Sequence, residues 1–219
     1  MPSVKIPRHS TDFDMTPFVD VAFLILSFFM LATKFKPPSP VEITTPYSVS
    51  SKELEQKNAM VIDMDKDGRV FFTMQVEKAE DETLKRNMIT NLNKTRNLGL
   101  GPNEIETFVR NSSVGLPFAK LKGYLALSDE QRTGYESKME GIPVLDTTNN
   151  ELVYWVAETV KAFQGSKMNI MVKGDNNSKY PIFKQIIEAL RKNEQFKYQL
   201  ITSPEGTPVG TELYRTRNQ

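Results

Sequence analysis

Asp20 is the residue of this chain whose type and position most clearly indicate chemistry. It lies in an apolar run of fifteen residues from Phe18 to Ala32, in which only Asp20 and Ser27 are polar. Removal from water favours the protonated form of a carboxyl group, so an acid in such a run can take up and release a proton as its access to water changes. The spacing therefore indicates proton transfer. The alternative is that Asp20 lies near a helix N-terminus and only complements the helix dipole.

Other kinds of chemistry lack the residues that they need. The chain has no cysteine, which excludes disulfides and thiolate metal sites, and its single histidine, His9, lies in the N-terminal tail. One copy therefore cannot supply a histidine-based triad or a two-histidine metal site. The charges nearly balance, with 28 basic and 27 acidic residues, which gives no reason to expect nucleic acid as a partner. The sequence predicts neither an enzyme nor a bound cofactor.

One acidic stretch, Asp63-x-Asp65-x-Asp67-Gly68, has the spacing that opens a calcium-binding loop. Such a loop needs a glutamate at its twelfth position, and here that position is Met74. The segments on either side also have the pattern of strands instead of helices. Asp67-Gly68 is accordingly predicted to form the turn of a β-hairpin, with no metal site.

The element that must position Asp20 is a helix. Met15–Phe35 contains 21 residues, or about 31 Å at roughly 1.5 Å per residue, which just spans a hydrocarbon core of about 30 Å. We therefore predict one membrane-spanning helix over residues 14–35. Thr16 is the expected N-cap, and Pro17 suits the first helical position.

Two other interpretations of the apolar run stay open, namely a cleaved signal peptide and a buried helix of a globular protein. The signal-peptide interpretation is opposed by Asp20, by the bulky residues at 28–31 and by the lack of a small-residue cleavage site. In a helix, Thr16, Asp20, Ser27 and Leu31 fall within about 40° of one line. Because a charge at a bilayer centre costs at least about 2.5–3.5 kcal/mol, this polar stripe should face a protein or a wet cavity.

The remainder of the chain is predicted to form a water-soluble α+β domain with a mixed sheet and helices on one face. The predicted divisions are a tail (1–13), the membrane helix (14–35), an extended linker (36–57), the domain (58–203) and a second tail (204–219). Within the linker, Val41–Thr45 alternates in the manner of a strand.

Hydrophobic periodicity predicts most elements of the domain. The expected helices are 83–96, a short one containing Phe118 and Leu125, one opened by a capping box at Ser128, and 151–163 and 181–192; the expected strands are 59–62, 69–72, 168–173 and 196–202. The last two strands with their helix form a predicted βαβ unit. Asp175-Asn176-Asn177 and Tyr180 could bind a ligand, but turn formation and packing explain them more simply.

The chain resembles the ExbD/TolR proton-channel subunits of bacterial energy-transducing complexes. The resemblance rests first on the string Asp14–Val21, with its Thr16-Pro17 and Asp20, followed by the apolar run. It is supported by Ile170–Asp175, an amphipathic helix after Tyr180 and a final strand at Phe196–Thr202. Residues 98–149 look like an insertion relative to shorter members.

The resemblance implies a single-pass protein of the bacterial inner membrane, with a cytoplasmic N-terminus and a periplasmic domain. Asp20 matches the proton-carrying aspartate of the family, supported by Thr16 and Ser27. Two copies would form a homodimer inside a ring of an ExbB- or TolQ-like polytopic protein. The proton is the only coupling ion implied, and its flow would energise a TonB-like protein that opens outer-membrane importers. Val41 and Ile43 would belong to the partner-binding region.

Two further functions remain as alternatives. One is a TolR-like role in envelope constriction, which has the same chemistry and a different output. The other is a membrane-anchored periplasmic binding protein in which Asp20 is incidental.

Overall fold

The structure is a computed structural model that describes residues 15–32, 41–48, 57–76, 82–136, 138–145 and 149–205. The predicted tail 1–13, residues 14 and 33–35 of the predicted membrane helix and residues 206–219 lie outside this part of the chain. The chain divides into two compact units, residues 1–38 and 39–219.

Seven helices and seven strands are formed by the described residues. The helices are α1 (Thr16–Ala32), α2 (Glu82–Arg96), α3 (Pro102–Asn111), α4 (Phe118–Leu125), α5 (Asp129–Glu136), α6 (Leu152–Ala162) and α7 (Tyr180–Lys192). The strands are β1 (Tyr47–Ser48), β2 (Ala59–Met64), β3 (Val70–Gln75), β4 (Ser113–Val114), β5 (Asn169–Gly174), β6 (Gln199–Ile201) and β7 (Ser203–Pro204).

The first unit contains α1, a helix of 17 residues. Thr16 is its first residue and not its N-cap as predicted, because the carbonyl of Met15 accepts the first backbone hydrogen bonds, from the amides of Phe18 and Val19. No helix among the described residues is both long enough and apolar enough to cross a membrane.

The second unit is built on a mixed five-stranded sheet in the order β4-β3-β2-β5-β6. The predicted hairpin is confirmed, since β2 and β3 pair antiparallel around a turn in which Gly68 has a φ of +84°. β5 pairs parallel with both β2 and β6, and α7 connects β5 to β6, so the predicted βαβ unit is also confirmed. The α+β class with a mixed sheet follows.

One core joins the sheet to the helices. Met60, Ile62 and Met64 of β2 belong to the same buried cluster as residues of α2, α6 and α7. Trp155 of α6 is fully buried, and its ring stacks on Phe72 at a centroid distance of 5.1 Å. The amphipathic helices predicted near these positions are therefore confirmed, because their apolar faces are the ones that enter the core.

The described residues between 98 and 149 contribute to this core. Their buried side chains include Phe108, Leu116 and Leu121. The short predicted helix is α4, and the predicted capping box is present at α5, where the amide of Gln131 and the side chain of Ser128 are 3.4 Å apart. Helix α3 was not predicted.

The predicted linker is folded onto the domain in its described part. Val41–Thr45 does not form the expected strand; a two-residue strand, β1, follows it and pairs parallel with β7. Val41 is partly buried against the core and Ile43 is half-buried. The predicted strand 196–202 is likewise shorter, because only Gln199–Ile201 pairs with β5.

Candidate functional site

Helix α1 carries the residues that the sequence predicts for proton transfer. Thr16, Asp20 and Ser27 are four and seven residues apart, and at about 100° per residue this spacing puts them on one face of the helix. Asp20 is the fifth residue of α1, beyond the first helical turn, in which there is no acidic residue. Since the dipole effect falls off within the first turn, dipole complementation explains Asp20 poorly. Its role in proton transfer stays a prediction.

The rest of α1 presents an apolar surface. The exposed side chains include Phe23 at 65% exposure and Phe28 at 67%, and the polar Ser27 is half-buried. A continuous apolar surface of this kind needs lipid or protein to cover it. Asp20 is thus a carboxylate on a helix whose exposed side chains are mostly apolar.

A second group of polar residues ties the linker to the sheet. The carboxylate of Asp175 accepts hydrogen bonds at 2.9 Å from the backbone amides of Asn177 and Thr44. The hydrogen bond from Asn177 contributes most to lowering the pKa of Asp175 below its usual range, and the bond from Thr44 contributes next. The prediction that turn formation explains this loop is confirmed by the bond from Asn177. The bond from Thr44, which attaches the linker to the loop, was not predicted.

Further hydrogen bonds fasten the linker beside the end of β6. The amide of Ser203 donates to the carbonyl of Pro46 at 3.0 Å, and the hydroxyl oxygens of Thr45 and Ser203 are 2.6 Å apart. The predicted partner-binding residues Val41 and Ile43 lie at the start of this fastened segment. Their part in partner binding stays a prediction.

A cavity of about 250 Å³ opens where β2, β5 and β6 reach their carboxyl ends. We call it the edge cavity. It is lined by Pro46, Met64, Val172, Gly174, Asp175, Ser178, Tyr180, Phe183, Leu200, Ile201 and Thr202. Tyr180 is 72% exposed, and its ring lies 6.4 Å from that of Phe183, so an aromatic pair forms one wall. No sequence signal marks this cavity, because its wall combines segments that are far apart in the chain.

A buried acid lies in the sheet, at the first position of the acidic stretch noted in the sequence. Asp63 of β2 is 4% exposed, and its Oδ1 has no hydrogen-bond partner among the residues that the structure describes. Burial raises the pKa of Asp63 to about 6, although Lys173, opposite it on β5, opposes that shift.

The acidic stretch that resembles a calcium loop has another use. Asp65 accepts hydrogen bonds from the amides of Asp67 and Arg69 and from the Arg69 guanidinium at 2.6 Å, so it closes the hairpin turn. Among the described residues, no group of three acidic or histidine side chains is close enough to hold a metal ion.

The comparison with protein families supplies an identification. Residues 7–205 match the family described as Biopolymer transport protein ExbD/TolR. No curated protein and no solved structure matches the chain. The matched range includes all of α1 and nearly all of the second unit.

Proposed function

The chain belongs to the ExbD/TolR family, and from that membership we propose that it is the proton-carrying subunit of an energy-transducing complex. The family consists of non-enzymatic transport proteins of the inner membrane. Membership implies a role in a Ton/Tol system with ExbB/TolQ and TonB partners. The finer steps below are our proposal.

Asp20 is the proposed proton carrier. The observation that supports this most directly is its place beyond the first turn of α1, on the face that carries Thr16 and Ser27. A charged carboxylate among lipid-facing side chains costs at least about 2.5–3.5 kcal/mol. A second copy of the chain and a surrounding ExbB- or TolQ-like protein would cover this face. Protonation would remove the charge, and release would restore it.

The proposed output is mechanical work on a TonB-like protein. The N-terminus would be cytoplasmic and the second unit periplasmic. Each proton that moves down the membrane potential provides about 2.3 kcal/mol per 100 mV, so a few protons exceed the cost of exposing Asp20. The linker would deliver the movement to the sheet of the second unit, since hydrogen bonds join residues 44–48 to the loop after β5 and to residues 203–205.

The test is Asp20→Asn in the native host, with uptake of an iron chelate or a vitamin measured together with the level of the protein. Asparagine keeps the shape of aspartate and cannot carry a proton. We expect normal protein and no uptake. Asp20→Glu, which keeps the carboxyl group, should retain part of the uptake. Asp67→Asn removes an exposed carboxylate of the second unit and is the matched control.

Normal uptake together with normal cell division and detergent resistance in a stable Asp20→Asn protein would exclude the proton role. If uptake is normal but cell division and detergent resistance are impaired, the output is the TolR-like one. In both cases the amount of protein in the membrane must equal that of the unsubstituted chain.

A further inference from the structure

Exposed aromatic and apolar side chains surround the mouth of the edge cavity. Tyr180 and Leu200 line the cavity, and Tyr47 directly follows the lining residue Pro46. Tyr47, Tyr180 and Leu200 are large side chains that the fold leaves exposed. Grouped apolar side chains on a water-soluble surface mark a place where another protein, a ligand or a membrane binds. The cavity, at about 250 Å³, is below the range of about 300–1,000 Å³ that is typical of small-molecule sites.

Two lysines add positive charge to this face. Lys179 and Lys184 adjoin the lining residues Tyr180 and Phe183, and neither lysine pairs with an acid within the described residues. Tyrosine has an apolar ring and a polar tip, and lysine has an apolar stem and a charged end. Side chains of these two types are suited to a membrane–water interface, where tyrosine lies at the level of the headgroups and lysine reaches the phosphates.

Lys66 brings a third positive charge to the same face. The hydrogen bonds from Asn177 and Thr44 lower the pKa of Asp175 most, and the charge of Lys66 lowers it further, so Lys66 lies close to the lining. Asp175 is the one acid among the described lining residues, and it already accepts a hydrogen bond at each oxygen. The lysines are thus left to attract negative charge from outside the chain, which favours an anionic surface as the occupant.

The linker keeps this face near the membrane helix, however the two units are arranged. Eleven residues separate Ala32, the last residue of α1, from Thr44, whose amide is bonded to Asp175 in the cavity lining. At about 3.3–3.6 Å per residue, this segment reaches at most about 40 Å. A short tether makes binding to a nearby surface intramolecular, so a patch of few side chains suffices to hold it.

We propose that the face around the edge cavity docks the second unit on an anionic phospholipid surface, with Tyr47, Tyr180 and Leu200 among the headgroups and Lys66, Lys179 and Lys184 at the phosphates. This proposal rests on the proposed function in one respect, because α1 must lie in the membrane for the tether to act. Docking holds the second unit at the bilayer, and release frees it to move away on its linker.

The test measures how close two points of the second unit come to lipid. The chain has no cysteine, so one introduced cysteine carries one fluorescent NBD label. Asn176→Cys places the label in the exposed loop after β5, beside the cavity, and Ser166→Cys places it before the amino end of β5. The six residues of β5 separate the two positions by about 20 Å. The full chain is reconstituted in nanodiscs with nitroxide-headgroup lipid as the quencher.

In nanodiscs that contain phosphatidylglycerol, we expect strong quenching at position 176 and weak quenching at position 166. Lys179→Gln/Lys184→Gln should lower the ratio of docked to undocked molecules by about 25-fold, because each lysine near an anionic surface contributes about fivefold. Nanodiscs of phosphatidylcholine alone should have a similar effect. Lys94→Gln/Lys138→Gln removes the same charge from exposed residues outside the lining and should leave the quenching unchanged.

Equal quenching at positions 166 and 176, or quenching at 176 that depends on neither phosphatidylglycerol nor the two lysines, would overturn the proposal. A label at 176 that is shielded from aqueous iodide without being quenched by lipid would show that protein covers this face, which also contradicts docking on lipid. Asp20→Asn should keep the quenching at 176. If position 176 is not quenched while Asp20→Asn still abolishes uptake, the docking surface is wrong and the motor function stands.

Discussion

Asp63→Asn is predicted to stabilise the second unit at neutral pH and to flatten its dependence on pH. Asp63 is 4% exposed, its Oδ1 lacks a hydrogen-bond partner within the described part of the chain, and the opposite charge that acts on it is Lys173 on the neighbouring strand. A charged carboxylate at this position is poorly compensated. Asparagine has nearly the same shape and no charge, so it should remove the cost of burial while the packing is kept.

The magnitude follows from the pKa. Burial, partly offset by Lys173, raises the pKa of Asp63 from 3.8 to about 6, and each pH unit of such a difference corresponds to about 1.4 kcal/mol. Well below pH 3.8 the group is protonated in the folded and the unfolded chain, so it costs nothing. Above pH 6 it is charged in both, and the folded state bears about 3 kcal/mol. Stability should therefore fall as the pH rises from about 4 to 6.

The assay is urea unfolding of the purified chain between pH 4 and pH 8, followed by the fluorescence of Trp155. The difference between Asp63→Asn and the unsubstituted chain should approach zero at the acidic end and about 3 kcal/mol above pH 7. Asp67→Asn, in the exposed turn of the same hairpin, should show no such change. A difference that is constant across this range would refute the argument that burial of charge sets the pKa of Asp63.

Two other predictions concern backbone contacts. Gly141→Ala should destabilise the chain by at least about 2 kcal/mol in the same assay. Gly141 has a φ of +89°, and an added Cβ would lie 2.9 Å from the backbone of Arg69. Gly123 of α4 has open space around it, so Gly123→Ala is the control and should stabilise the chain slightly. Asp175→Ala removes the acceptor for the Thr44 amide, so this amide should exchange faster with deuterated water. Because folding lowers the pKa of Asp175, its protonation at acidic pH should likewise reduce the protection of the Thr44 amide, measured as the exchange rate relative to the intrinsic rate at the same pH.

The elements with strong hydrophobic periodicity could be predicted from the sequence. In α7, Ile182, Ile186 and Leu190 repeat at four-residue intervals and all are buried. The hairpin turn was equally visible, because a glycine with positive φ is what this type of turn requires. Local rules suffice where one segment and its own side chains decide the structure.

Helix α3 shows where those rules were applied too narrowly. Gly101-Pro102 follows the predicted helix 83–96, and a proline can open a new helix as well as follow one. In the structure Pro102 is the first residue of α3, and the carboxylate of Glu104 accepts a hydrogen bond from the amide of Gly101 at 3.0 Å. Pro102, with Glu104 two residues later, is a sequence signal for the start of a helix.

The edge cavity and the fastened linker could not be predicted in this way. The hydrogen bond from Thr44 to Asp175 joins residues 131 positions apart, and that between Thr45 and Ser203 joins residues 158 positions apart. Neither pair has a local pattern, because each depends on where the sheet brings the carboxyl ends of its strands. The same holds for the lining of the cavity.

The three aspartates at alternate positions from 63 to 67 explain why spacing alone misleads. A period of two residues is common to a calcium loop and to a β-strand, so the sequence pattern fits both. Met64 is the last residue of β2, and this boundary decides the outcome. Asp63 is inside the strand and is buried, Asp65 is just past it and closes the turn, and Asp67 is exposed. The position of each aspartate relative to the end of β2 thus decides its role. Of the three, only Asp63 has a charge that the fold does not compensate.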